Sequence, residues 1–329
     1  MNSDALGWGV IGATSMVARL ALLPALVASP SARLVAVASQ SQPPGTYDDF
    51  GSQRTYRNYR QVLEDPEVEA VYVPLPNSLH AAWVIAAAGA GRHVLCEKPL
   101  ATSAAQAQAM AGACDAAGVR LMEAYMTPFH HRSIALADLV SGGLLGELRF
   151  AHAAFTGVLS RPDDHRWRPE MGGGALADVG IYCTAPILAA ARRAPRAVGG
   201  AARLTPGGVD ASFSGWMDFG EGMAGAIECS FEAPERQRLE IVGTEAAAVI
   251  ERAFTPGPAD RTIQLRHRDG TTEALLSAAN DPYQAMVEHF AAVIRGREAM
   301  RRGPACSIRL AAVQDQLGVA AGLAQAPFE

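Results

Sequence analysis

Apolar and polar positions follow two different periodicities along the chain. Up to about residue 125, short apolar runs typical of buried strands alternate with segments whose apolar residues recur every three or four positions, as on one face of a helix. The predicted strands cover residues 6–12, 34–38, 70–73, 93–96 and 119–122, and the predicted helices cover residues 15–29, 59–64, 79–88 and 103–117. Residues 42–56 predict a short or irregular connection, because prolines and glycines interrupt the pattern. The alternation predicts an α/β domain with a doubly wound parallel sheet over residues 1–124.

From about residue 125 onward, apolar residues often recur at every second position, the period of a strand with one covered face. Such stretches cover residues 148–156, 198–204, 211–219, 223–231, 238–242, 247–251 and 261–266, and the turn at residues 219–222 predicts a hairpin. We therefore expect a mostly antiparallel sheet. Helices are predicted at residues 175–193, 283–294 and 307–323, and the last of them can pack back on the first domain. Residues 125–329 thus form a predicted α+β domain.

Composition narrows the class of protein. Hydrophobic residues make up 49% and charged residues 19% of the chain, which is typical of globular proteins. A net charge of -5 without a basic cluster disfavours a nucleic-acid partner. The five cysteines are widely spaced without a C-x-x-C pair, and no signal peptide or run of about 18 apolar residues is visible. We expect a cytoplasmic protein with reduced thiols, no membrane partner and no metal site.

The first candidate site is the turn after the first predicted strand. Gly12 matches the first glycine of the dinucleotide-binding pattern G-x-G-x-x-G, whereas Thr14 and Val17 replace the second and third. Such a turn presents backbone N–H groups and a helix N-terminus to a pyrophosphate. An ordinary tight turn between a strand and a helix explains the segment equally well. The predicted pyrophosphate contacts are Gly12, Ala13, Thr14, Ser15 and Met16.

The end of the second predicted strand bears on the choice of cofactor. NAD-binding proteins of this fold place Asp or Glu there, but this strand ends in Ser39 and Gln40. Because no carboxylate repels a 2′-phosphate at this point, NADP(H) is favoured over NAD(H). Arg54 or Arg57 could contribute a positive charge. Polar residues that simply leave a strand for solvent are the alternative explanation.

Two further groups of residues suggest proton transfer. Lys98 follows the predicted strand at residues 93–96, at the end where open parallel sheets bind ligands, although a solvated loop residue is the simpler explanation. Three glycines at residues 172–174 precede a predicted helix in which Asp178 and Tyr182 are one turn apart on the same face. A tyrosine donates a proton at neutral pH only if a cation stabilises its phenolate. Lys98 could be that cation, and a buried tyrosine with a satisfied hydroxyl is the alternative.

These motifs together resemble the Gfo/Idh/MocA oxidoreductases. The resemblance rests on residues 71–80 (VYVPLPNSLH), 91–100 (GRHVLCEKPL) and 172–182 (GGGALADVGIY). Tyr182 and residues 122–126 (MEAYM) resemble the branch with dimeric dihydrodiol dehydrogenase, NADP-dependent xylose dehydrogenase and nucleotide-sugar 3-ketoreductases. Thr127, Pro128 and His131 depart from that branch near the substrate pocket. The resemblance implies a Rossmann domain, an open-faced sheet domain used for oligomerisation, and a Lys98–Pro99 bond that is often cis.

The resemblance also implies an activity and a set of site residues. We expect NADP(H)-dependent hydride transfer to or from a carbinol or ketone carbon of a sugar-like substrate, which can be a nucleotide-linked keto sugar. Lys98 and Tyr182 are the expected catalytic pair, and Asp178 orients either the substrate or Lys98. The remaining expected contacts are Ser39 and Gln40 at the 2′-phosphate, Leu75, Asn77, His80, Glu97 and Lys98 along the inner ribose and nicotinamide, and Glu123, Tyr125, Arg166, Trp167 and Arg168 at the substrate.

Two alternatives stay open at this point. His80 can simply be a residue of the first helical turn, and Trp167 can be a core residue. The chain as a whole can be a noncatalytic relative that senses NADP or a sugar and acts through a protein partner. If the chain is an enzyme, we expect it to form a homodimer or homotetramer through the sheet of the second domain.

Overall fold

The computed structural model describes residues 4–39 and 46–323. In the first part of the chain a strand and a helix alternate. The strands are β1 (Leu6–Ile11), β2 (Ala32–Ala38), β3 (Arg54–Tyr56), β4 (Ala70–Val73), β5 (His93–Glu97) and β6 (Leu121–Ala124), and the helices are α1 (Leu23–Ala28), α2 (Tyr59–Glu64), α3 (His80–Gly89) and α4 (Ala104–Ala116). A π-helical stretch, Ala18–Leu22, leads directly into α1, where Pro24 occupies the first turn. Proline is tolerated there because a first-turn N–H has no intrahelical acceptor.

The later part of the chain is mainly strands, with helices before, among and after them. The helices are α5 (His131–Ser141), α6 (Ala175–Asp178), α7 (Gly180–Ala191), α8 (Pro282–Ile294) and α9 (Pro304–Ala320). The strands are β7 (Leu148–Thr156), β8 (Ala197–Leu204), β9 (Asp210–Gly220), β10 (Met223–Ser230), β11 (Arg236–Gly243), β12 (Ala246–Glu251), β13 (Thr262–His267) and β14 (Thr272–Leu276).

The chain divides into two compact units. One comprises Met1–Ala101, Ala105–Met126 and Asp281–Ile308, and the other comprises Thr102–Ala104, Thr127–Asn280 and Arg309–Glu329. The division after residue 126 lies two residues from the domain boundary expected from the sequence. The first unit also takes in α8, which lies far along the chain from the other elements of that unit.

The sheet of the first unit is parallel and has the strand order β3-β2-β1-β4-β5-β6. This is the order of a doubly wound Rossmann sheet, so the predicted α/β fold is confirmed. Every residue of β1 and β4 is buried, as expected for central parallel strands with both faces covered. The strand order reverses between β1 and β4, and such a switch point is where open α/β sheets bind ligands.

Helix α8 belongs to the first unit through its apolar stripe. Met286, Val287 and Phe290 are fully buried, and the ring of Phe290 lies 5.8 Å from the ring of Trp8 in β1. The side chain of Asp281 caps the helix by accepting the backbone N–H of Tyr283 at 2.8 Å. The stripe predicted from residues 283–294 is therefore confirmed.

The sheet of the second unit has eight strands in the order β14-β13-β12-β11-β7-β10-β9-β8. All neighbours are antiparallel except β7 and β10, so the predicted, mostly antiparallel sheet is confirmed. On one face Ala153, Met217 and Ile227 are buried. On the other face the side chains of Phe150 and Trp216 are 60% and 51% exposed.

Some local predictions were wrong. Strand β3, helix α5 and strand β14 were not predicted. The helix expected at residues 175–193 is broken at Val179, and the segments Pro169–Asp178 and Gly180–Ala191 meet at an angle of 51°. Asp178 and Tyr182 therefore do not lie one turn apart on a continuous helix. Gly180 explains the close packing at the break, because a Cβ atom there would lie 3.0 Å from Leu176 Cδ1 and 3.2 Å from Cys229 Sγ.

Among the described residues no single helix is both long and apolar enough to cross a membrane, and one bent pair, Pro169–Asp178 with Gly180–Ala191, has the necessary length and composition.

Candidate active-site residues

The turn after β1 has the backbone that the glycine pattern predicts. Gly12 adopts a φ of +72°, and a Cβ atom on it would lie 2.5 Å from Leu75 Cδ2, so only glycine fits without strain. The N–H of Ala13 donates to the carbonyl of Ala38 at 3.1 Å, which joins the ends of β1 and β2. A helical stretch begins at Met16, and the first N–H groups of a helix lack intrahelical acceptors. The turn therefore offers backbone donors at the switch point of the sheet.

The end of β2 lies beside the end of β3. Ser39 is buried and donates its N–H to the carbonyl of Tyr56 at 3.1 Å, while Gln40 lies outside the described residues. Arg54 is engaged elsewhere, since its guanidinium contacts the carboxylates of Asp65 at 2.8 Å and of Glu67. Arg57 follows β3 directly and is exposed. Of the two arginines considered from the sequence, Arg57 is thus the one whose side chain can turn to a ligand at the end of β2.

The loop after β4 carries three of the predicted cofactor contacts. Leu75 and Asn77 are buried, and His80 begins α3 with no exposed surface. The two ring nitrogens of His80 lie 2.9 Å from the carbonyl oxygen of Pro99 and 2.8 Å from that of Leu75. The imidazole therefore joins the loop after β4 to the loop after β5.

Lys98 lies at the carboxyl end of β5 on a backbone with many contacts. The N–H of Lys98 donates to the carboxylate of Glu97 at 3.2 Å, and the buried Tyr72 hydroxyl donates to the same carboxylate at 2.6 Å. Burial and the nearby Glu97 charge raise the pKa of Tyr72 well above its ordinary value, so this hydroxyl keeps its proton. The Lys98–Pro99 peptide bond is cis. These contacts fix Glu97 as a support for the loop that presents Lys98.

Glu123 and Tyr125, predicted at the substrate, are almost completely buried in the first unit. The carboxylate of Glu123 accepts the N–H of Leu100 at 2.9 Å and the hydroxyl of Ser307 at 2.7 Å. Arg302 places its guanidinium 5.0 Å from the centre of the Tyr125 ring and 3.7 Å from Glu123. These contacts support the loop after Pro99, and a contact of either residue with substrate stays a prediction.

In the second unit, the glycine run before α6 is required by close packing. A Cβ atom on Gly173 would lie 2.3 Å from the carbonyl oxygen of Arg166, and one on Gly174 would lie 2.1 Å from the carboxylate of Asp210. Gly174 also has a φ of +123°, which disfavours any side chain. The carboxylate of Asp210 accepts the N–H of Leu176 at 2.7 Å and so holds the first turn of α6.

Arg166 and Asp178, which were predicted as site residues for different reasons, form an ion pair in this unit. Arg166 Nε lies 2.8 Å from Asp178 Oδ2, and the Arg166 guanidinium also contacts Asp164 at 3.2 Å. Burial lowers the pKa of Arg166, but the two carboxylates outweigh it and raise the pKa overall. Asp178 is thus oriented by Arg166 at the end of α6.

Tyr182 lies in the first turn of α7 and is 7% exposed. Its ring packs edge-on against Phe155 at 5.3 Å, and Phe254 lies 6.1 Å away. These aromatic neighbours restrict the ring and thereby fix the direction of its hydroxyl. Nearby along the chain, Trp167 packs edge-on against Phe231 at 5.3 Å, and Arg168 is exposed.

Several supporting residues could not be found from the sequence. Tyr72, Asp210 and Ser307 are polar residues inside or beside predicted strands and helices, and no motif distinguishes them. Phe155 fits the alternating pattern of β7, but nothing in that pattern indicates that it packs on Tyr182. Each acts through a partner that is distant along the chain. Among the described residues no group of three or more His, Cys, Asp or Glu side chains could hold a metal ion.

Comparison with known proteins agrees with this geometry. Residues 6–125 match the model of an oxidoreductase family with an NAD-binding Rossmann fold, and residues 134–249 match the C-terminal domain model of the same family. These matches and the fold define an oxidoreductase with a Rossmann domain. The chain belongs to the Gfo/Idh/MocA family, as the sequence motifs predicted.

Among its relatives are enzymes of the predicted branch. A dTDP-3,4-didehydro-2,6-dideoxy-alpha-D-glucose 3-reductase of Saccharopolyspora spinosa is 36% identical, with 87% of each chain covered. A D-xylose 1-dehydrogenase (NADP(+)) of Haloferax volcanii is 32% identical, over 89% of this chain and 90% of the relative. The crystal structure of a 3-ketoreductase from Actinomadura kijaniata with NADP and TDP-benzene is 28% identical, with a TM-score of 0.88, and covers 96% of this chain and 98% of that one.

The family implies a nicotinamide dinucleotide, and the first unit fits one. Gly12 has no side chain that could cover the backbone of the turn, and a helix that starts at Met16 follows at once. The N–H groups of this turn would hold the pyrophosphate. Lys98 lies at the carboxyl end of β5, on the edge of the sheet where such folds bind their ligands.

Proposed function

We propose that the chain is an NADP(H)-dependent oxidoreductase that interconverts a carbinol and a ketone on a sugar or sugar-like substrate. The observation that carries the proposal is the position of Lys98 at the carboxyl end of β5, in the unit that contains the glycine turn after β1. Glu97 and Glu123 hold the backbone there by accepting the N–H groups of Lys98 and Leu100. A cation held in this way is suited to stabilise charge on a substrate oxygen. When bound, the cofactor supplies or accepts the hydride at C4 of its nicotinamide.

The chain's own residues handle the proton. In the reductive direction, Tyr182 donates its hydroxyl proton to the substrate oxygen as the carbonyl carbon receives the hydride, and the product is the alcohol. In the oxidative direction, the tyrosinate takes that proton back. Lys98 stabilises the negative charge on the substrate oxygen and on the phenolate. Asp178, oriented by Arg166, contacts the substrate hydroxyls.

The preference for NADP(H) follows from charges at the ends of β2 and β3. Ser39 stands where NAD-binding proteins carry a carboxylate, and Arg57 leaves β3 beside it. We propose that Arg57 pairs with the 2′-phosphate, because Arg54 is engaged by Asp65 and Glu67. The relatives support this choice, since the xylose dehydrogenase is named for NADP(+) and the ketoreductase structure contains NADP.

The substrate class is a sugar, and a nucleotide-linked keto sugar is the form that the ketoreductase relatives suggest. The test is consumption of NADPH and NADH with a panel of free aldoses, free keto sugars and dTDP-linked keto sugars. We expect turnover with at least one sugar and a higher kcat/KM with NADPH than with NADH. Tight cofactor binding without turnover of any substrate would instead favour the noncatalytic sensor. We retain the cytoplasm as the predicted location.

We further propose that the exposed face of the eight-stranded sheet binds a second copy of the chain. In the paired strands β7, β10 and β9, His152, Ala226 and Trp216 lie opposite one another, and Phe150 lies two residues from His152 on the same face. Two large side chains exposed on one sheet face indicate a protein contact. Light scattering is expected to give a dimer or tetramer for the wild type and a monomer for Trp216→Arg. A monomeric wild type would contradict this proposal.

A further inference from the structure

The buried imidazole of His80 lies between two backbone carbonyls. One ring nitrogen is 2.9 Å from the oxygen of Pro99 and the other is 2.8 Å from the oxygen of Leu75, and the residue has no exposed surface. Leu75 follows β4 and Pro99 follows β5, and these strands are neighbours in the sheet. The ring therefore lies between the loops that follow two neighbouring strands.

The chemistry of the ring explains what the two contacts do. A carbonyl oxygen only accepts, so each nitrogen forms a hydrogen bond only when it carries a proton. Burial, the largest influence, and the charge of Lys98 lower the pKa of His80, and the carbonyls of Leu75, Pro99 and Leu100 oppose this only in part. The neutral ring carries one proton, so it donates to one of the two carbonyls and lies against the other. Whichever ring nitrogen carries the proton, both nitrogens of His80 face backbone carbonyl oxygens. The polar atoms of His80 are thus committed to the protein's own loops.

Three side chains contact the backbone of Lys98, Pro99 and Leu100. The carboxylate of Glu97 accepts the N–H of Lys98, the carboxylate of Glu123 accepts the N–H of Leu100, and His80 reaches the carbonyl of Pro99 between them. His80 also contacts the loop after β4, at the carbonyl of Leu75. Its removal would take away the hydrogen bond to one of these carbonyls and the packing of the ring between the two loops.

We propose that His80 is a positioning residue for Lys98 rather than a contact of the cofactor. The inference rests on the proposed function, in which Lys98 stabilises the substrate oxygen. Displacement of a reacting group by about 1 Å can cost on the order of a hundredfold in rate. Loss of His80 therefore lowers kcat through Lys98 and leaves the affinity for the cofactor nearly unchanged.

The test is a double-mutant cycle between His80→Phe, which keeps a ring but has no polar atom, and Lys98→Met. We expect His80→Phe to lower kcat by about tenfold to a hundredfold. In the Lys98→Met background the same change is expected to have less than a twofold effect. The dissociation constant for NADPH, measured by calorimetry without substrate, is expected to stay within about twofold. Val84→Ala is the matched control, because Val84 is buried one turn further along α3 and its apolar side chain cannot hydrogen-bond to a carbonyl, so the change should lower the melting temperature and retain kcat.

Hydrogen exchange of the cofactor-free protein gives a second readout. In His80→Phe, a peptide spanning residues 97–101 is expected to exchange faster, with β2 unchanged. If the Phe variant does not fold, His80→Gln, whose amide group takes the position of Nε2 and not that of Nδ1, replaces it. Equal losses of kcat in both Lys98 backgrounds, or weaker NADPH binding with kcat retained, would overturn the inference. Full activity of Lys98→Met alone would overturn the proposed function instead.

Discussion

The buried carboxyl group of Asp210 makes the stability of the second unit depend on pH. Its side chain is 6% exposed and holds the N–H of Leu176 at the start of α6. Burial raises the pKa of Asp210 to about 6 from an ordinary 3.8, although the backbone donors of Leu176 and Ala175 oppose this shift. Asp210→Asn removes the titrating proton and keeps an oxygen that can accept the same N–H.

The sign follows from proton binding. Because the folded protein binds this proton more tightly than the unfolded chain, the contribution of Asp210 to stability is complete below pH 3.8 and is lost as the pH rises through about 6. At about 1.4 kcal/mol per pH unit, the change amounts to about 3 kcal/mol. The unfolding free energy of the wild type, relative to that of Asp210→Asn, should therefore fall by about 3 kcal/mol across this range.

Urea unfolding at several pH values between 3.5 and 7, followed by circular dichroism, measures this difference. Asp218→Asn, at an exposed position of the same strand, controls for the loss of one negative charge. Parallel pH profiles of the wild type and Asp210→Asn would refute the reasoning, because they would show that the carboxyl group titrates alike in the folded and unfolded chain.

Two other predictions concern the first unit. Arg57→Ala should weaken NADPH binding about tenfold or more and leave NADH binding unchanged, because a charge-assisted hydrogen bond contributes about 1.5–3 kcal/mol. Calorimetry with both cofactors measures the two affinities. Equal losses of affinity for NADPH and NADH would contradict this prediction. Glu123→Ala should destabilise the protein by about 3 kcal/mol, because it leaves Arg302 and the N–H of Leu100 without their buried acceptor. Urea unfolding measures this loss of free energy. A loss below about 1 kcal/mol would contradict the role of Glu123 in holding the loop after Pro99.

The sequence predicts the two sheets well because their strands follow period-2 or continuous apolar patterns. It fails where distant contacts decide the structure. Strand β3 is only three residues long and is held by pairing with β2 and by the contact of Arg54 with Asp65. Helix α5 carries a buried Arg132 whose guanidinium donates to the carbonyls of Glu251 and Arg252. A charged residue on the buried face interrupts the apolar stripe by which an amphipathic helix is predicted from sequence.

The same distinction applies to the candidate site. Lys98, Tyr182 and Gly12 were found from motifs because each motif is local. The break between α6 and α7 was missed because a carboxylate far along the chain, Asp210, fixes the start of α6 and because Gly180 packs on Cys229. Asp178 consequently pairs with Arg166, a partner that helical spacing from Tyr182 could not indicate.

The most direct test of the central claim is the pre-steady-state rate of NADPH oxidation by Tyr182→Phe and Lys98→Met with the best sugar of the panel. General acid catalysis by Tyr182 predicts a rate lower by about 10²–10⁴-fold in Tyr182→Phe, with NADPH affinity retained. A comparable loss is predicted for Lys98→Met, and the double variant should lose little more than either single variant. A Tyr182→Phe variant that reduces the sugar within about threefold of the wild-type rate would contradict the account.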